Sequence, residues 1–254
     1  MSDVALERLN YAVIKEKHIE VAVLPVGATE PHNLHLPYGT DTLTSTAIGR
    51  AACTDANAKG ANTVLLPSIP YGVDSNLMEF PLTINCRPST QLALVSDVVD
   101  SLEQHGIRKM VILNGHGGNE FSFILRELYG TTGVFLSLFE WWKAIGEERK
   151  EVLEGPGDHA EEMETSIGLH LFPELVDLSA ADDGATKRCR LQAVEKGAVK
   201  ITRPWHLLTQ NSGHGDPRKG TAEKGERLFN AAVAILSDYL VELSDTQMDE
   251  TFPY

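Results

Sequence analysis

Apolar residues along the first half of the chain fall into short unbroken runs, and between the runs they recur at three- and four-residue spacing. The unbroken runs, Val21–Val26, Thr63–Ile69, Lys109–Asn114 and Gly133–Leu138, read as strands buried on both faces. The stretches between them, Thr42–Lys59, Ser89–His105 and Glu120–Tyr129, read as helices with one apolar side. The second of these stops at Gly106, a residue suited to closing a helix in the left-handed conformation. This alternation predicts a three-layer α/β/α fold with a mostly parallel central sheet. Further along, Ile167, Leu169 and Leu171 predict a helix that Asp158 or a residue near it can cap. Ala222–Leu243 predicts a last amphipathic helix after the small-residue loop 210–220. His214 in that loop reads as a surface residue ahead of a lid contact or a partner across a subunit interface. With no internal repeat, low-complexity tract or flexible linker, residues 1–254 are expected to form one domain.

Composition narrows the class. A chain of 254 residues with 42% hydrophobic content can bury a substantial core. A net charge of -14 speaks against a nucleic-acid partner, whose phosphates demand a basic surface. The three cysteines, Cys53, Cys86 and Cys189, form no C-x-x-C pair, so neither a disulfide framework nor a thiolate zinc site is indicated and a reducing cytoplasm is the default. The N-terminal residues lack the basic, apolar, small-residue order of a signal, and no apolar run reaches membrane-spanning length.

Candidate chemistry gathers where apolar runs end. Beyond Val26 the segment Glu30-Pro31-His32-Asn33-Leu34-His35-Leu36-Pro37-Tyr38-Gly39-Thr40-Asp41 offers two carboxylates and two imidazoles within twelve residues. Imidazole nitrogen and carboxylate oxygen suit divalent zinc, manganese or iron, and a carboxylate such as Asp41 can bridge two ions. The plainer alternative makes Asp41 a helix cap and leaves the histidines on a solvated loop. Beyond Leu113, Asn114-Gly115-His116-Gly117-Gly118-Asn119-Glu120 sets a histidine among glycines at a strand-to-helix turn. With neither G-x-G-x-x-G nor a P-loop lysine present, a ligand at a strand tip explains it better than a phosphate cradle. In the third segment, Asp158-His159-Ala160-Glu161-Glu162-Met163-Glu164-Thr165-Ser166, the helix dipole accounts for Glu161 and Glu162, and Glu164 is the better functional candidate.

Together the segments resemble the creatininase (creatinine amidohydrolase) family, whose pattern runs Glu-x-His, Leu-Pro, Thr-Asp, Asn-Gly-His, then His-x-x-x-x-Glu-Thr-Ser. All of these occur here in order, between about residues 20 and 180. The resemblance implies an α/β hydrolase with two divalent ions per subunit, zinc or manganese with iron(II) also compatible, usually a homohexamer, cleaving cyclic amides or related C–N bonds of a small-molecule substrate. It implies that Glu30 and His116 bind one metal and His32 the other, with Asp41 bridging and a metal-activated water between. His159 would shuttle protons, and Glu164 would serve the metal and the chemistry. Ser75, Gly117, Asp158 and Trp142 are the expected substrate contacts; Trp141 and Trp142 could both wall the pocket, but two adjacent residues point different ways and at least one of them is expected to pack in the core.

Two departures stand out. Creatinine-hydrolysing members carry Gly-His-Tyr-Glu-Asn where this chain has Gly115-His116-Gly117-Gly118-Asn119, so the second-metal Glu is absent. Glu164 is its expected substitute, ahead of Glu120. Those members also place a Trp where Gly155-Pro156-Gly157 stands here, which makes creatinine a poor substrate. Hydrolytic ring opening of an oxidised sugar or cyclitol on the same site is the second reading. A metal-stabilised binding protein without turnover is the third.

Overall fold

The computed structural model describes residues 3–254. Four strands, β1 (Val21–Val26), β2 (Thr63–Leu65), β3 (Lys109–Asn114) and β4 (Phe135–Glu140), form an all-parallel sheet in the order β2-β1-β3-β4. Six helices of seven residues or more surround it: α1 (Thr40–Ala58), α2 (Pro88–Gln104), α3 (Ser122–Leu128), α4 (Gly146–Val152), α5 (Glu162–Leu171) and α6 (Ala222–Asp245). No helix among the described residues is long and apolar enough to cross a membrane.

Strand alternation divides the core into two halves. Val21, Val23, Val111 and Leu113 point to one face, where Ile48 and Ala52 of α1, Met163 and Ile167 of α5, and Leu228 and Leu236 of α6 cover them. Ala22, Leu24, Met110 and Ile112 point to the other face, where Val95 and Val99 of α2 and Ile124 of α3 cover them. Every residue of β1 and β3 is buried, which is why both strands read as continuous apolar runs.

The expected three-layer α/β/α architecture is therefore present, with two adjustments. Thr63–Ile69 is regular only to Leu65, because Pro67 has no N–H to give the ladder. The chain still follows β1: the Leu66 N–H donates to the Val23 carbonyl and the Ile69 N–H to the Pro25 carbonyl. The β4 run begins at Phe135 rather than Gly133, since the Gly133 N–H is taken by the Glu103 carboxylate at 2.7 Å.

The chain turns one way from β1 to β2 and the other way from β2 to β3, so the sheet order reverses between β1 and β3. Crevices at such reversals, beyond the carboxyl ends of the strands, are where open α/β sheets bind ligands. Val26 and Asn114, the last residues of β1 and β3, stand side by side there. At the opposite end of β3, the Lys109 ammonium donates to the Leu243 and Thr246 carbonyls, both at 2.6 Å, and ties down the C-terminus of α6. The α6 backbone in turn lies directly on α5: a Cβ on Gly225 would come within 1.9 Å of the Ser166 carbonyl oxygen. That close approach fixes α5, and with it Glu164, relative to the sheet.

Candidate metal centre

Two glycines allow the strand tips to meet the start of α1. A Cβ on Gly27 would lie 2.5 Å from the Thr42 amide nitrogen, and one on Gly115 would lie 2.6 Å from the Asp41 carbonyl oxygen. With no side chains in the way, the β1 and β3 tips press against the first turn of α1 and bring Glu30, His32 and His116 around Asp41. Asn114 and Asn119 hold the turn. Asn114 Oδ1 accepts from the His116 N–H, while Asn119 Oδ1 accepts from the Val73 N–H and from the Gln91 amide.

Asp41 lies at the centre. Its Oδ1 is 3.1 Å from His32 Nε2 and its Oδ2 is 3.1 Å from His116 Nδ1. Glu30 Oε1 approaches the same His116 nitrogen at 2.9 Å, and Glu164 Oε2 lies 3.9 Å from His32 Nε2. Two donors each about 2.1 Å from one ion at right angles sit about 3.0 Å apart, the spacing seen around His116 Nδ1. Alignment points the same way: both Glu30 oxygens and Asp41 Oδ2 are buried, and no hydrogen-bond donor among the described residues is aimed at them. Buried carboxylates in that state are compensated by a cation. The tautomers agree, because His32 Nδ1 donates to the Glu30 carbonyl and His116 Nε2 to the Val73 carbonyl, leaving the opposite nitrogens free to ligate. The donor sets Glu30, Asp41, His116 and His32, Asp41, Glu164 thus suit two divalent ions.

Charge reports the same demand. Burial by itself would depress the His32 pKa, but the Asp41, Glu164 and Glu30 carboxylates together raise it to about 10. His116 is likewise raised well above its ordinary value, against its burial, by Glu30, Asp41 and Asp74. Asp41, despite burial, is held well below the usual carboxylate range by both imidazoles. Burial raises Glu164, and burial together with the Glu164 charge pushes Glu161 up to about 8. In the metal-free protein, protons on the two imidazoles do part of the work of the cations. His32 then holds in the folded state a proton that the unfolded chain releases above about 6.5, and Glu161 holds one that the unfolded chain releases above about 4.5. Both contributions favour folding at low pH and are lost as pH climbs, by about 10 for His32 and about 8 for Glu161. Chelator-treated protein is therefore expected to show a falling thermal midpoint between pH 6 and pH 10 by circular dichroism; a rising midpoint would contradict the assignment.

His159 and Glu164 reach the centre from the approach to α5 and its first turn. The His159 ring donates from Nε2 to the Pro31 carbonyl at 2.9 Å, which turns Nδ1 toward Glu30 Oε1 at 3.8 Å. It stands 4.3 Å from the His32 ring, centroid to centroid. Glu164 Oε2 accepts from the Ala160 N–H at 2.5 Å. The cap of α5 is Glu161, whose carboxylate accepts from the Met163 N–H, rather than Asp158. Asp158 points outward instead, 2.6 Å from the Arg203 guanidinium and 3.5 Å from His214 Nδ1, and those partners hold its carboxyl low. Glu162 also lies off the site, buried against the Lys224 ammonium at 2.6 Å.

A cavity of about 140 Å³ opens over the cluster, lined by Glu30, Asp41, His116, His159 and Glu164 on its inner side and by Asn76, Gly117, Asp158, Arg203 and Trp205 among others toward the rim. Of the expected substrate contacts, Gly117 and Asp158 line this cavity. Ser75 is not: it is exposed on an adjoining groove, and its neighbour Asn76 takes the wall position. Trp142 packs with Trp141 against the core beside α6, away from the cavity. Its expected role as aromatic wall falls to Trp205, whose ring stands 5.0 Å from His159 and under the Arg203 guanidinium at 5.2 Å. Glu120 is exposed and His35 hydrogen-bonds Thr165, so neither joins the centre. His214, expected on the surface, forms an antiparallel bridge with His159 and closes the late loop over the site. Asp74, fully buried beside His116, was missed altogether, as were Asn76, Arg203 and Trp205.

A family model for creatininase, described as creatinine amidohydrolase, matches residues 7–240. A mycofactocin precursor peptide peptidase of Mycobacterium ulcerans (strain Agy99) is 31% identical over 215 residues, covering 82% of this chain and 79% of its own. A 3-dehydro-scyllo-inosose hydrolase of Thermotoga maritima is 28% identical over 257 residues, covering 93% of this chain and 80% of its own. A crystal structure from Bacteroides fragilis NCTC 9343, related by its description to the creatinine amidohydrolases, superimposes with a TM-score of 0.93 at 36% identity and covers 98% of this chain and 100% of that one.

Proposed function

We propose that this chain, which belongs to the creatininase family of hydrolases, hydrolyses a C–N bond of a cyclic amide, formamide or similar small polar carbonyl compound with the help of two divalent ions. The observation that carries this reading is the convergence of Glu30, His32, Asp41, His116 and Glu164 with buried carboxylate oxygens that no hydrogen bond satisfies. In this reading Glu30 and His116 hold one ion, His32 and Glu164 hold the other, and Asp41 bridges. Glu164 supplies the carboxylate that Gly118 cannot. Zinc and manganese suit such mixed imidazole and carboxylate donors, with iron(II) also compatible. When bound, the ions supply Lewis acidity toward the substrate carbonyl and lower the pKa of water toward neutrality.

The remaining roles belong to the chain itself. His159, fixed through Nε2 on the Pro31 carbonyl, takes a proton at Nδ1 from the attacking water and returns it to the departing nitrogen. Trp205 and Asn76 orient the substrate, and the Asp158–Arg203 pair marks the polar rim. A cavity of about 140 Å³ holds the scissile group and a few further atoms; pockets for whole drug-sized ligands run to about 300 Å³ or more. A larger substrate leaves its remainder outside, which accommodates amide hydrolysis on a peptide as well as on a free small molecule, and relatives named as peptide peptidases support the amide class. A cytoplasmic homo-oligomer, hexameric by family resemblance, completes the proposed setting.

Ring opening of an oxidised cyclitol or sugar is the second reading, supported by the cyclitol hydrolase that aligns over 93% of this chain and by the polar rim. The test is product analysis by mass spectrometry after reconstitution with Mn²⁺ or Zn²⁺, across cyclic amides, N-formyl compounds, short peptides and oxidised cyclitols. Release of an amine supports the first reading, and a ring-opened acid without amine supports the second. No turnover with either metal contradicts both and leaves a binding protein. With the best substrate found, Trp205→Ala is expected to raise KM about tenfold, the loss of an aromatic contact of about 1.4 kcal/mol, with metal content unchanged. An unaltered KM would remove Trp205 from the substrate wall.

A further inference from the structure

Asp74 is a buried charge without a role in the scheme above. It lies in the loop after β2, its side chain fully shielded from solvent, and no donor among the described residues is aimed at either carboxylate oxygen. Backbone contacts hold it in place: its own N–H donates to Asn85 Oδ1 at 2.9 Å, and the Val73 N–H donates to Asn119 Oδ1 at 3.0 Å. The result is a carboxylate behind the His116 ring, Oδ1 at 3.1 Å from Nε2, with the Val73 carbonyl beside it at 3.3 Å as the aligned acceptor of the Nε2 proton.

The other ring nitrogen, Nδ1, faces Glu30 Oε1 at 2.9 Å and Asp41 Oδ2 at 3.1 Å. The two ring nitrogens thus face different carboxylates, and Asp74 also comes near the cluster itself, since one oxygen each of Glu30 and Asp74 and a ring nitrogen of His116 lie within 4.8 Å of one another. Gly118 cannot supply a side chain there, since a Cβ would come within 2.3 Å of His116 Nε2 and 2.5 Å of the Val73 carbonyl oxygen. An anion sealed from water with no donor of its own is costly unless positive charge compensates it. Here that charge is what the His116 ring carries or binds. A carboxylate behind a ligating histidine fixes the tautomer and strengthens the opposite nitrogen as a donor.

We propose that Asp74 is a positioning residue of the metal centre, one that keeps the His116 proton on Nε2 and strengthens Nδ1 as a ligand to a divalent ion. The proposal rests on Glu30, Asp41 and His116 being metal ligands, and the experiment separates the two ideas. Dissociation constants for Mn²⁺ and Zn²⁺ are measured by chelator competition in wild type, Asp74→Asn and Asp74→Ala, alongside the thermal midpoint of each metal-free protein. Asp74→Ala is expected to weaken metal binding about 10- to 100-fold. Asp74→Asn, which keeps an acceptor oxygen and loses the charge, is expected to fall between Asp74→Ala and wild type. The metal-free midpoints are expected to stay level or rise, because no aligned hydrogen bond of the carboxylate is lost. Equal affinities in all three proteins overturn the proposal while leaving the ligand reading intact. A metal-free midpoint that drops in both variants, with affinity falling in parallel, overturns it in favour of a loop-holding role. A wild type that binds neither ion overturns the ligand reading and the proposal together.

Discussion

Replacing Asp41 with alanine is expected to remove both ions from the chain and lower kcat/KM on the order of 10³-fold or more. One carboxylate reaches His32 Nε2 through Oδ1 and His116 Nδ1 through Oδ2, each at 3.1 Å, so its loss strips a ligand from both donor sets at once. Metal assistance of this type supplies several kcal/mol of transition-state stabilisation, and about 4 kcal/mol corresponds to a factor near 10³. The partners make the internal control. Glu30→Ala is expected to weaken the ion on the His116 side, and Glu164→Ala the ion on the His32 side, with the other ion partly retained in each. Elemental analysis of protein prepared without chelator, together with steady-state kinetics on the substrate found by product analysis, reads both effects. Activity of Asp41→Ala within tenfold of wild type would remove Asp41 from the bridge.

His159→Ala is expected to lower kcat on the order of 10²- to 10⁴-fold, the usual contribution of a positioned proton-transfer group. Both ions are expected to remain. His159 differs from the other site histidines in that Nε2 is committed to the Pro31 carbonyl while Nδ1 stands free on the cavity side, 3.8 Å from Glu30 Oε1; because Glu30, His32 and His159 also lie close enough together to hold an ion, the metal content of the variant decides between the two roles. The Trp205 ring at 5.0 Å and the backbone bridge to His214 keep the imidazole facing the cavity. The variant should therefore show lower kcat with nearly unchanged KM. Loss of metal in step with loss of activity would show that His159 is a ligand instead.

The parts of this protein that were legible in the sequence are those where function follows directly on a buried strand. Val21–Val26 and Lys109–Asn114 are apolar throughout because both faces of the sheet are covered, and the residues just past them, Glu30, His32 and His116, could only lie at the sheet's carboxyl edge. Asp41 and Glu164 were legible for a related reason, each falling in the first turn of a helix whose apolar pattern is clear. Errors arose where the chain is irregular. In the loop after β2 side-chain direction changes from one residue to the next without a rule that spacing can supply, so Ser75 was chosen where Asp74 and Asn76 face inward. At Trp141-Trp142 the chain leaves β4 directly into a helical turn packed on the core, and neither ring reaches the cavity. Trp205 and Arg203 come to His159 and Asp158 from more than forty residues away through the His159–His214 bridge, a contact no local pattern encodes. Their one visible signal was a tryptophan directly after Arg203-Pro204, outside any periodic apolar pattern.

The central claim, two ions bridged by Asp41, is tested most directly by anomalous diffraction from crystals grown with zinc, collected on both sides of the zinc absorption edge. Two peaks about 3.5–4 Å apart are expected, one beside Glu30 and His116 and one beside His32 and Glu164, with Asp41 between them. No peak at these residues, or a single peak that Asp41 does not touch, would contradict that claim.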